Sequence, residues 1–168
     1  MRYRLLLLIL LALSLSLVTV GQAQTGDPNG SRVTGLESLK VLQLHNDSRA
    51  EVGVEPVKWS YELAAHAQEW ADHLAATGSF GHRPDDRFGE NLAMGSTAEQ
   101  AVGMWLAERP RYHGETITAQ NFSLFGHYTQ MIWRDTREIG CGKAKGPNGV
   151  IWVCSYDPGG NVIGQKPY

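Results

Sequence analysis

The sequence predicts an α+β domain in which helices layer on both sides of a small antiparallel sheet. Three observations predict it. Apolar residues recur at three- and four-residue spacing over three segments, each with helix-start and helix-stop residues at its ends. Two strand-like runs, 139–145 and 150–156, flank Gly146-Pro147-Asn148-Gly149, a strong turn signal. Both cysteines of the chain, Cys141 and Cys154, fall in those runs.

The elements follow in order. Residues 1–23 open with Arg2 and Arg4, continue through an almost unbroken apolar run over 5–20, and exit at Gly21-Gln22-Ala23. A charged start, an apolar middle and a small-x-small exit describe a secretory signal peptide. The run falls short of the roughly 20 residues that span a bilayer. The expectation is therefore a secreted or periplasmic protein with no stable membrane anchor after signal cleavage. Residues 24–35, rich in Gly, Asp, Pro, Asn and Ser, read as a flexible lead-in, and 36–168 as one domain.

Within the domain, Leu39, Leu42, Asn46 and Arg49 place a helix over 36–50, closed by Gly53 and blocked by Pro56. Val57-Lys58-Trp59 is a short extended piece, and Ser60 is the N-cap of a second helix. That helix carries Leu63, Ala67, Trp70, Ala71 and Leu74 on one face and ends near Gly78. Its His66 and His73 lack the zinc-protease spacing and read as solvated or edge-of-core histidines. Residues 78–95 read as loop. A third helix starts at Ser96 or Thr97, runs through Glu108 and stops before Pro110. Residues 111–124 are polar and irregular, and 128–134 form a short helix. The 139–156 hairpin and a Gly-rich tail complete the chain. Pairing Lys145 with Val150 carries the register to Cys141 opposite Cys154. Opposed antiparallel residues lie about 4.5–5.5 Å apart at Cα, within reach of a disulfide. Two reduced core thiols are the alternative.

The formal charge of −2 becomes more acidic once Arg2 and Arg4 leave with the leader, and there is no basic block. That excludes nucleic acid as an expected partner. No GxSxG elbow and no reactive cysteine is present. Ser48 and His127 are the elements of a serine nucleophile, but nothing in the spacing brings them together.

The residue that points to a site is Glu108. It shares a helical stripe with Ala101, Met104 and Trp105. A carboxylate on an apolar face costs several kcal/mol to desolvate unless partnered. A metal ion, a protonated histidine or an arginine is expected opposite it. His82, Glu90 and His127 stand in unusual local settings, in Phe80-Gly81-His82, Gly89-Glu90-Asn91 and Gly126-His127-Tyr128. Two imidazoles and two carboxylates suit Zn²⁺; a hydrogen-bonded His–Glu network in the core is the other reading.

The same residues resemble a known family. Gly126-His127-Tyr128-Thr129-Gln130-Met131-Ile132-Trp133 is similar to the signature of the CAP superfamily, which comprises cysteine-rich secretory, antigen 5 and plant pathogenesis-related class 1 proteins. Cys154-Ser155-Tyr156-Asp157-Pro158-Gly159-Gly160-Asn161 resembles its second signature. His45-Asn46-Asp47-Ser48-Arg49, Gly89-Glu90-Asn91 and Trp105-Leu106-Ala107-Glu108 match further elements. The resemblance implies a three-layer α-β-α sandwich around a cleft. It implies a tetrad at His82, Glu90, Glu108 and His127, which holds Zn or Mg in several members. It implies a disulfide between positions matching Cys141 and Cys154. The extra cysteines of plant-like members and a cysteine-rich C-terminal extension have no counterpart in this chain. Sterol-binding members use an aromatic loop, whose region offers Tyr112, Phe122 and Phe125 without the same spacing.

The expected function is a secreted binding module, without turnover, that holds a lipid, a sterol-like molecule or another small amphiphile near a divalent metal site. The alternative is a metal-dependent hydrolase, a peptidase or esterase. A third reading is an adhesion or effector module in which the tetrad is a polar core network. No feature of the sequence sets an oligomeric state.

Overall fold

A computed structural model describes residues 30–84 and 87–168. The expected signal peptide and the first half of the lead-in, 24–29, lie outside the described residues. The element order is α1 (Gly35–Glu51), β1 (Lys58–Trp59), α2 (Tyr61–Thr77), β2 (Gly89–Met94), α3 (Ala98–Leu106), a 3₁₀ turn (Arg109–Arg111), α4 (Phe122–Met131), β3 (Glu138–Gly146) and β4 (Gly149–Asp157). The strands form one sheet in the order β1-β3-β4-β2. One face carries α2 over Leu92, Ala144, Ile151 and Val153. The other carries the larger core shared by α1, α3 and α4, with Trp105, Trp133, Trp152 and Tyr156 inside it. The three layers are those of an α-β-α sandwich.

Local chemistry sets the helix ends. Thr34 and Glu37 cap α1 reciprocally: the Thr34 side chain accepts from the Glu37 amide while Glu37 accepts from the Thr34 N–H. The described end of the lead-in is docked, with Ser31 and Val33 buried. Ser60 caps α2, and Gly78 ends it in the left-handed region at φ 67°. Thr97 caps α3. Close approach of α2 to the sheet requires Gly140 and Gly142: a Cβ at either would sit 2.1–2.3 Å from the backbone of Ala64 or Gln68.

The hairpin has the predicted register, Lys145 opposite Val150 and Cys141 opposite Cys154. The cysteines are joined by a disulfide, with 4.0 Å between Cα atoms. The turn is tighter than its four-residue signal, because Gly146 and Gly149 also pair.

Other elements depart from the sequence reading. The 78–95 loop contains β2, which pairs with β4 at six positions; it buries Asn91, Leu92 and Ala93 in succession, so no strand alternation marks it. The sheet is mixed, since β1 pairs in parallel with β3, Lys58 to Glu138. Helix α1 buries Ser38, Val41, His45, Ser48 and Arg49, leaving Leu36 and Leu39 exposed. Helix α3 ends at Leu106, and the chain turns through a 3₁₀ segment into Pro110. Helix α4 starts at Phe122, six residues earlier than expected, and is kinked at Phe125 (φ −151°, ψ 16°). The tail is also docked: Ile117 and Gln165 pair, and Arg134 N–H donates to the Pro167 carbonyl.

Candidate functional site

Arg49 supports the site from below. It is fully buried and meets no carboxylate among the described residues. Its guanidinium donates instead to four carbonyls: Glu55 at 2.6 Å, Met131 at 3.0 Å, Trp133 at 2.9 Å and Thr136 at 2.9 Å. One planar fork thus fixes the exit of α4 and the chain leading to β3. Burial lowers its pKa to about 10. Asn46 grips both the N–H and the carbonyl of Val57.

A polar chain crosses the core beside it. His45 Nδ1–H donates to the Val41 carbonyl at 2.8 Å, which leaves Nε2 to accept from the Tyr156 hydroxyl at 2.9 Å. Asn91 Nδ2 donates to that hydroxyl at 3.1 Å and to the His127 carbonyl at 3.0 Å. Burial lowers the His45 pKa to about 4 and pushes the Tyr156 phenol up. In the sequence His45, Asn91 and Tyr156 stand only as parts of motifs. Their role here is to hold the backbone at His127.

Glu108 finds its partner in an unexpected form. The kink at Phe125 makes Gly126 the first residue of a new helical run, whose early N–H groups have no carbonyl within the helix. Glu108 Oε2 accepts from the His127 amide at 2.9 Å and the Tyr128 amide at 3.1 Å. Its Oε1 accepts from His127 Nδ1 at 2.7 Å. The carboxylate therefore caps a helix and orients an imidazole at once. Met104, placed with it on one stripe, is half exposed instead.

The second pair has the same design. Glu90 Oε1 accepts from His82 Nδ1 at 2.6 Å and from the Arg83 amide at 3.1 Å. That hydrogen bond holds the His82 pKa above its ordinary value, against the opposing effect of burial. Glu90 is 6% exposed and His82 59%. Glu90 Oε2 is buried, with no hydrogen-bond partner among the described residues.

The pairs meet at one cleft of about 60 Å³, lined by His82, Glu90, Asn91, Phe122, Ser123, Gly126, His127 and Asn161. Glu108 stands behind His127. Asn161, at φ 57°, ties the tail to the cleft by donating to the Gly126 carbonyl and accepting from Thr129. Of the three predicted aromatic residues, Phe122 is at the cleft, while Tyr112 and Phe125 pack against each other in the core, 5.2 Å between ring centres. Ser48 donates to the Leu44 carbonyl within α1, so it forms no dyad with His127.

The donor chemistry fits a cation through nitrogen. Each imidazole has Nδ1 held by a carboxylate, an arrangement that fixes the ring and raises the basicity of Nε2. Neither Nε2 hydrogen-bonds to a described residue. Among the described residues no three His, Cys, Asp or Glu side chains gather as a metal cage. The arrangement is therefore two imidazole donors with carboxylates behind them.

Comparison with known proteins agrees with this architecture. The family model described as "CAP: Cysteine-rich secretory protein family" matches residues 42–156. Pathogenesis-related protein 1B of Nicotiana tabacum is 46% identical over 132 residues, covering 76% of this chain and 78% of the relative. The crystal structure of NaASP2 with Zn²⁺ superposes with a TM-score of 0.69 at 26% identity, covering 88% of this chain and 90% of that one. The structure of BmVAL-1 gives 0.69 at 25% identity, covering 84% and 85%. With its sandwich, its paired histidines and these likenesses together, the chain belongs to the CAP family of cysteine-rich secretory proteins.

Proposed function

We propose that this chain is a secreted CAP-domain binding module whose cleft holds one divalent cation between His82 and His127. The observation that carries the reading is the pairing of both imidazoles with carboxylates at one cleft, which leaves two Nε2 donors free. Nitrogen donors favour Zn²⁺ over Mg²⁺, which takes oxygen ligands. The bound metal would join the α2–β2 connection to α4 and stiffen the rim. Support for zinc also comes from NaASP2, solved with Zn²⁺.

The ligand belongs at the rim. A cleft of about 60 Å³ takes an ion or a small polar headgroup, well under the roughly 300 Å³ of a typical small-molecule pocket. The apolar part of an amphiphile, lipid or sterol-like, would rest outside it on Phe122, which is 41% exposed.

A hydrolase is the second reading, favoured by one observation. Glu90 Oε2 is a buried carboxylate oxygen with no partner among the described residues, a candidate to accept a proton. Equal ester and peptide cleavage by wild type and Glu90→Gln would remove this reading.

The binding reading is tested on the purified exported chain by zinc titration with thermal unfolding. Zinc at 100 times Kd should add about 2.7 kcal/mol, and His82→Ala with His127→Ala should abolish the gain. An equal gain in that double variant would contradict the proposed site.

A further inference from the structure

His82 is the half of the site with the least support of its own. Its side chain is largely exposed, and it lies in the connection between α2 and β2. Glu90 holds its Nδ1, and the direction of the ring also depends on how the chain on either side of it is held. Both chain neighbours are fastened to one side chain of α2. Trp70 Nε1–H donates to the Gly81 carbonyl at 3.0 Å. The Arg83 guanidinium carbon lies over the Trp70 ring, 5.8 Å from its centre. Arg83 also pairs at 2.9 Å with Glu69, the residue before Trp70, and its side chain is only 19% exposed. The Arg83 amide then donates to the same Glu90 oxygen that meets His82 Nδ1. Trp70 is itself braced by the His73 ring, stacked at 4.6 Å. His82 is thus bracketed on both sides by contacts with a single indole.

We infer that Trp70, Glu69 and Arg83 form a positioning clamp that fixes the direction of His82 and so sets the cation affinity of the cleft. The clamp touches neither cation nor ligand. It acts through residues 81 and 83, as partners behind a ligating histidine do when their loss weakens metal binding roughly 10–100-fold. This inference rests on the metal reading, and its test separates the two.

The full exported chain is titrated with ZnCl₂ alone by calorimetry, as wild type, Trp70→Phe, Arg83→Ala and Arg83→Lys. Trp70→Phe keeps one aromatic ring and loses the donor to Gly81 together with the second ring of the indole. Arg83→Lys keeps the charge opposite Glu69 and loses the planar face. Trp70→Phe and Arg83→Ala should each weaken Zn²⁺ binding by roughly tenfold, with Arg83→Lys between them and wild type. Metal-free melting temperatures should stay within about 2 °C of wild type, which a merely structural role would not give. A second readout needs no metal. Nitrogen-15 spectra at pH 8 should show His82 as one fixed Nδ1–H tautomer in wild type and an averaged pair of tautomers in Arg83→Ala. Wild-type affinity and a wild-type tautomer signal in both Trp70→Phe and Arg83→Ala would overturn the clamp. If wild type takes up no Zn²⁺, the metal reading falls. The tautomer signal then decides the clamp alone: averaging in Arg83→Ala supports it and an unchanged signal overturns it.

Discussion

Replacing Glu108 with alanine separates two roles that one carboxylate could have. In the structure it accepts from two helix-start amides and one imidazole, at 2.9, 3.1 and 2.7 Å. Loss of a capping acceptor costs about 0.5–2 kcal/mol. A hydrogen bond to a charged acceptor contributes roughly 1.5–3 kcal/mol, and the donors left behind are partly buried. Glu108→Ala should therefore destabilise the metal-free chain by about 2–5 kcal/mol, each kcal/mol lowering Tm by roughly 2–4 °C. Glu108→Gln keeps an oxygen for the amides and should lose only about 1–2 kcal/mol. The assay is urea unfolding in EDTA, repeated with saturating Zn²⁺. A Glu108→Ala protein as stable as wild type in EDTA, but weaker than wild type once zinc is added, would refute the capping argument. It would make Glu108 a ligand of the metal instead.

The remaining predictions concern the polar core. His45 has a folded pKa of about 4 against an ordinary value of 6.5, so the unfolded chain binds more protons between those values. Its contribution is full above pH 6.5 and lost as pH falls toward 4, amounting to about 3 kcal/mol at a slope of 1.36 kcal/mol per pH unit. Stability curves of wild type and His45→Gln should converge as pH falls through that window; parallel curves would remove His45 from the account. Arg49→Lys offers fewer donors, without the planar fork, to four carbonyls now met by the guanidinium. A loss of about 3 kcal/mol or more is expected in urea unfolding, with early amide exchange over residues 131–136; a change below about 0.5 kcal/mol would contradict it.

Much of this was legible in sequence, for identifiable reasons. The hairpin register and the Cys141–Cys154 pairing follow from a turn and strands that are neighbours in the chain. The partial burial of Glu108 follows from its position just after an apolar helix, with a side chain 15% exposed. Its partner was not legible, because the amides it caps exist only through the break at Phe125, which no periodicity announces. The polar buried face of α1 was hidden for a similar reason. Arg49 is satisfied by carbonyls at 55, 131, 133 and 136, three of them some eighty residues away. β1 pairs in parallel with a strand equally distant, so its partner could not be read locally. Phe122, Tyr112 and Phe125 look alike in sequence; only tertiary packing sends one to the cleft and two to the core.

The central claim is that His82 and His127 present their free nitrogens to one cation. Zinc-edge X-ray absorption on the zinc-loaded exported chain addresses it most directly. Two imidazole nitrogens at about 2.0–2.1 Å are predicted, falling to one in either His82→Ala or His127→Ala. A spectrum with no imidazole scattering, or one unchanged by both substitutions, would contradict it.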